Sequence, residues 1–174
     1  MKLIKSYQIW TLLSFLLISG CTTYKPMKVA QNVDLNQYMG KWYEIARLPN
    51  HFQKGCACST ADYKIIDDTY ISVTNQCDKN GVLKTSTAKA WRVDGKDNSR
   101  LKVRFFWPFT GNYWILYVSS NYKYAVVGEP SREYLWFLSR TKTIDNKNFD
   151  LMKQVARSQG YDLRKLIVAD NAEC

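Results

Sequence analysis

Gly40-Lys41-Trp42-Tyr43-Glu44-Ile45-Ala46-Arg47 opens the first regular run of the chain, and its reading decides the fold. A glycine frees the backbone to turn, and a large indole follows two residues later at the head of a strand-like stretch. A barrel of about eight strands needs side chains to fill its interior, which places Trp42 as the plug of one end. Working outward, seven further strand-like runs follow: 59–66, 70–76, 84–93, 101–107, 113–119, 124–128 and 134–139. Turn residues separate them at Asp67-Asp68, Asp78-Lys79-Asn80-Gly81, 94–98, 108–112 and Glu129-Pro130-Ser131. Asn80-Gly81 suits a tight hairpin, because both residues tolerate positive φ. Short strands at this spacing indicate an all-β sandwich or barrel.

One stretch is helical in pattern. Asp145 caps it, Phe149, Met152, Val155 and Ala156 recur on one face, and Gly160 ends it. It follows all eight strands, which argues against an alternating α/β fold. Residues 166–168 read as a short last strand.

The first twenty residues stand apart from this domain. Lys2 and Lys5 precede an apolar run over 9–18, and Ser19-Gly20 supplies small residues before a cut. The run is too short for a comfortable span of about 20 residues, so residues 1–20 read as a signal peptide. Cys21 follows at once, and the junction resembles a bacterial lipobox, in which the cysteine is diacylated and becomes the mature N-terminus. Two or three acyl chains, at about 0.8 kcal/mol per buried CH₂, hold a protein on a bilayer where one would not. The residue after Cys21 is Thr22 rather than Asp, which by the same resemblance favours the outer membrane. Residues 21–33 read as a lipidated tether, and 34–174 as one domain.

The formal charge is +10, and loss of Lys2 and Lys5 with the leader leaves +8. The cations are scattered through strand-like segments, and an exported chain rarely meets DNA. Contact with anionic lipid is expected rather than nucleic acid. Cys56, Cys58, Cys77 and Cys174 remain after Cys21, and an oxidising compartment makes them disulfide candidates. Cys58 and Cys77 are equidistant from the turn at Asp67-Asp68, which pairs them in a hairpin. Setting Tyr63 opposite Val73 shifts the register by one residue and leaves Cys56 open as the partner. The remaining cysteine then ties down Cys174.

Side-chain alternation proposes an interior. Leu101, Val103, Phe105 and Trp107 share one face, as do Tyr134, Trp136, Leu138 and Arg140. Val103, Phe105, Trp107 and Trp136 are therefore candidate ligand contacts. Tyr63, Trp91, Tyr113 and Trp114 join them as aromatic residues suited to a cavity with a wet mouth.

The stretch from Val33 to Arg47 resembles the first signature of the lipocalins, with Gly40 and Trp42 as its G-x-W. It is especially similar to the bacterial outer-membrane lipoprotein branch and to apolipoprotein D. Asn121 and Tyr122 stand where that family carries T-D-Y, with Asn121 replacing the Asp, and Arg140 matches the arginine of the third motif. The resemblance implies an eight-stranded antiparallel up-and-down barrel, a helix packed outside it, and Arg140 lying over Trp42 at the closed end. It further implies a carrier of fatty acids, lysophospholipids or similar amphiphiles, lipid-anchored at the periplasmic face of the outer membrane. No cofactor is expected, a second copy of the chain is a candidate partner, and a tetrapyrrole carrier or thiol enzyme is the alternative. His51 reads as a loop residue at the mouth, and neither a metal cluster nor a nucleophile motif supports catalysis.

Overall fold

The computed structural model describes residues 24–94, 97–171 and 174; the stretch read as a signal peptide and Cys21 lie outside them. Eight antiparallel strands form a closed barrel: β1 Gly40–Arg47, β2 Ala57–Ile65, β3 Tyr70–Lys79, β4 Val82–Arg92, β5 Arg100–Phe106, β6 Phe109–Val118, β7 Tyr124–Gly128 and β8 Leu135–Ser139. Each pairs with the next, and β1 closes the ring. Its first half pairs with β2 through Trp42 opposite Ala61, and its second half pairs with β8 through Glu44 opposite Leu138. A two-residue strand β9, Ile167–Val168, adds to β1 at Ala46 and Arg47. The turn between β5 and β6 is tighter than expected: β6 begins at Phe109, and Gly111 already sits opposite Val103.

The short helix α1, Leu35–Tyr38, precedes β1 and stoppers the closed end. The longer helix α2, Asn146–Ser158, packs outside the barrel. Asp145 caps it by accepting from the Asn148 amide at 2.9 Å, and Gly160 follows its end with φ +88°. Its buried Met152 and Ala156 meet Leu116, Val126, Leu135 and Phe137, the outward face of β6 to β8. The inward face of the barrel carries Trp42, Ala61, Tyr63, Ile71, Val73, Ala88, Ala90, Leu101, Ile115, Ala125, Val127 and Leu138. Two cores thus share one sheet, as alternation along each strand requires.

Residues 24–33 of the segment read as a tether form a strap. Met27, Val29 and Val33 are buried, and the Ala30 amide donates to the Ile115 carbonyl at 2.9 Å.

Both disulfides are formed, and the hairpin-symmetric pairing of Cys58 with Cys77 is not one of them. Cys56 joins Cys77, and Cys58 joins Cys174. The register explains why. Tyr63 pairs with Val73 and Thr60 with Gln76, but a bulge then sets Ala57 opposite Asp78. Cys58 lies in that bulge with φ +52°. A bulge re-aims the side chain it carries, and here the thiol turns toward the C-terminus.

Candidate functional site

The closed end is built from the first signature. Gly40 holds φ +87°, a backbone that side chains disfavour, and thereby turns the chain from α1 into β1. Trp42 is wholly buried, its indole N–H donating to the Tyr38 carbonyl at 2.8 Å. The Arg140 guanidinium lies 3.8 Å from the centre of the Trp42 ring. It also donates to the carbonyls of Gln37, Tyr38, Met39, Lys41 and Tyr122. Tyr122 returns the favour to α1, its hydroxyl accepting from the Asp34 amide at 2.7 Å. Asn121 stays local, accepting from Ser119 Oγ and the Lys123 amide in its own turn.

Above this plug three phenols form the floor of the interior. Tyr38 and Tyr113 hydroxyls are 2.7 Å apart, and Tyr113 donates to Tyr63 at 2.9 Å. Burial raises all three pKa values, Tyr63 to about 12. The folded chain therefore keeps protons that the unfolded chain releases near pH 10. Stability from this floor is complete below pH 10 and is lost as pH rises toward 12. Urea denaturation at pH 9 and pH 12 is expected to show a loss of about 2 kcal/mol from Tyr63 alone. Tyr63→Phe should remove that part of the alkaline slope.

The upper wall changes character toward the mouth. Glu44 faces inward beside Leu138, and Arg47 faces inward opposite Trp136. Both are buried, with Arg47 Nη1 2.5 Å from Glu44 Oε1. From the loop after β1, Gln53 donates to Glu44 Oε2 at 2.7 Å and accepts from the Trp136 indole N–H at 2.9 Å. Of the five buried side-chain polar atoms without a hydrogen-bond partner among the described residues, two bear on this group: Arg47 Nε and Ser59 Oγ. Ser59 precedes Thr60, which pairs with Tyr43, so it continues β2 alongside Glu44. Sequence reading missed this polar group. Trp42 and Glu44 share a parity that could have revealed one member, but a bulge between Glu44 and Ala46 reverses the face before Arg47.

The lining candidates divide. Tyr63, Tyr113, Val103 and Trp136 belong to or pack against the inward core. Trp91 and Trp114 do not line the interior. Ala90 and Tyr113 point in, so their neighbours point out: Trp91 lies under Arg104 and Trp114 under Arg100, at 5.4 and 5.3 Å. Phe105 leaves the inner face because the β5–β6 register shifts after Val103. It borders an outer-wall depression of about 350 Å³ with Ser72, Lys89 and Arg104. Trp107 is 81% exposed at the hairpin tip. A second depression of similar volume lies at the closed end and mixes polar walls, from Asp34, Asp67, Arg92 and Asn98, with apolar ones from Leu35, Ile65 and Ile71. His51 is exposed, its ring 5.2 Å from Phe52.

Residues 33–171 match the lipocalin-like domain. The chain is 38% identical over 163 residues to "Outer membrane lipoprotein Blc" of Vibrio cholerae, covering 91% of this chain and 95% of the relative. It is also 38% identical over 154 residues to "Temperature-induced lipocalin-1" of Arabidopsis thaliana, with 83% of each covered. Apolipoprotein D of Macaca fascicularis is 30% identical, with 84% of this chain and 81% of that one aligned. Among solved structures, insecticyanin from the tobacco hornworm Manduca sexta superposes with a TM-score of 0.70 at 25% identity, over 85% of this chain and 86% of that one.

Proposed function

The chain belongs to the lipocalin family, and on that premise we propose that it binds and carries anionic or zwitterionic amphiphiles, fatty acids and lysophospholipids, in its barrel. It does so anchored to the outer membrane through acylated Cys21, on the periplasmic side, in support of membrane maintenance. Relatives named as outer-membrane lipoproteins favour this location, and among the described residues no helix is long and apolar enough to cross a membrane.

The observation that carries the reading is the polarity gradient of the interior. Ala61, Ala88, Ala90 and Ala125 keep the inner wall small and apolar above the tyrosine floor. An acyl chain gains about 0.8 kcal/mol per buried CH₂ there. The unpartnered Arg47 Nε and Ser59 Oγ sit toward the mouth, and a buried donor left unmade is costly. A carboxylate or phosphate oxygen is an acceptor for either. Carriage rather than thiol chemistry is favoured because Cys56, Cys58, Cys77 and Cys174 are all held in disulfides.

Titration with a fluorescent fatty acid, followed by competition, tests this. Palmitate is expected to displace the probe at micromolar concentration and about tenfold more tightly than its methyl ester, since a charge-assisted hydrogen bond contributes about 1.5–3 kcal/mol. Ser59→Ala should narrow that gap, and Trp136→Ala should weaken both ligands. Equal affinity for acid and ester would remove the headgroup assignment, and absence of binding by either would remove lipid carriage.

A further inference from the structure

The strap determines which end of the barrel an anchor reaches. From Val33 at the closed end it climbs the outer wall. Ser99 Oγ donates to the Ala30 carbonyl, and the Lys28 amide donates to Gln159 Oε1 at the end of α2, at 2.9 Å. The Lys25 carbonyl then accepts from Arg132 Nη2 at 2.7 Å. Arg132 stands in the turn between β7 and β8, which lies at the open end. Tyr24 is therefore delivered beside the mouth, three residues after Cys21. Three extended residues reach at most about 11 Å.

The same end carries an exposed apolar crest. Phe106 is 66% exposed, Trp107 81% and Phe109 67%, with Phe106 and Phe109 edge to face at 5.5 Å. At the same end of the barrel, Phe52 on the loop after β1 and Val82 and Leu83 at the start of β4 are also exposed. Large apolar side chains exposed together at a hairpin tip mark an interaction surface, and Trp favours the level of lipid headgroups. Cations flank it. Lys54, Lys79 and Lys84 belong to the open-end loops and strand ends, and Lys89 lies directly opposite Arg104 on the outer wall below the crest. Like charges set opposite each other across a sheet destabilise it, and an anionic surface offsets that repulsion. The acids nearby are engaged: Asp78 accepts from the Gly81 amide, and Glu129 from Ser131 and the Glu133 amide. Glu133 is exposed.

We propose that the barrel stands mouth-down on an anionic bilayer, with the Phe106-Trp107-Pro108-Phe109 tip seated among the headgroups. Ligand then passes between leaflet and barrel without crossing water. The inference rests on the reading that Cys21 is acylated.

The test uses the full chain, purified from membranes and reconstituted in phosphatidylethanolamine–phosphatidylglycerol vesicles with brominated acyl chains. Intact mass reports acylation independently of quenching. An acylated protein whose emission is quenched by one tryptophan's share, a share lost in Trp107→Phe, supports the proposal. An acylated protein with unquenched Trp107 overturns it and leaves lipid carriage standing. Unquenched Trp107 together with a concentration-dependent dimer also overturns it and assigns the crest to a second copy. A mass without acyl chains removes the anchor reading and this orientation with it.

Discussion

Arg140→Ala is expected to destabilise the fold by about 3–5 kcal/mol, the range for breaking a partly buried charge network. The guanidinium serves five backbone carbonyls and one indole face at once. Three of those carbonyls, on Gln37, Tyr38 and Met39, belong to the C-terminal end of α1, where a helix leaves carbonyls without intrahelical donors. The cation over Trp42 adds about 0.5–2 kcal/mol according to its desolvation. Arg140→Lys should recover only a minor part. An ammonium has three donors on a point charge, whereas the arginine fork is planar and stacks on the ring while its edges donate. Urea unfolding followed by tryptophan fluorescence measures the loss, and a domain of this size should melt roughly 10–15 °C lower. A cost under about 1 kcal/mol for the alanine variant would mean that α1, and not Arg140, seals the barrel.

The plug was legible because its parts announce themselves locally: a glycine at a turn, an indole two residues on, and an arginine ending the eighth strand. Strand order and the outer helix followed from turn spacing and from the position of the 3.6-residue pattern after the last strand. The interior was harder. Side-chain parity places a residue only until the next bulge, and bulges after Glu44, near Cys58 and after Val103 each reset it. Arg47 was hidden and Phe105 misplaced for that reason. Trp91 and Trp114 were misread for a different one. Their aromatic bulk suggests a cavity wall, yet β4 keeps its alanines inward and spends its indole on a stack with Arg104 outside. The strap was illegible because the bonds that hold it to the barrel are long-range, to Asn98, Ser99, Ile115, Arg132 and Gln159.

Removal of the Cys58–Cys174 disulfide is expected to cost more than removal of Cys56–Cys77. The first spans a sequence separation of 116 residues and the second 21. In the chain-entropy account the longer closure contributes about 5 kcal/mol and the shorter about 3. The variant must be Cys58→Ser with Cys174→Ser. In the single Cys174→Ser chain, Cys58 keeps a free thiol in the bulge across from Cys77, where thiol–disulfide exchange with the neighbouring bridge would obscure the result. The consequence extends to the site. Asn171, close to the tethered C-terminus, donates from Nδ2 to the carbonyls of Glu44 and Lys142, and β9 covers β1 at Ala46 and Arg47. Freeing the tail loosens the backbone that carries the Glu44–Arg47 pair, so fatty-acid affinity should fall along with the melting temperature. The Cys56→Ser, Cys77→Ser variant should lose stability while holding affinity more closely, since its bridge joins the loop before β2 to β3 and leaves the cover over β1 in place. Calorimetry and probe titration on the two double variants separate these effects. Equal losses of affinity in both would show that the tail supports the fold and not the site.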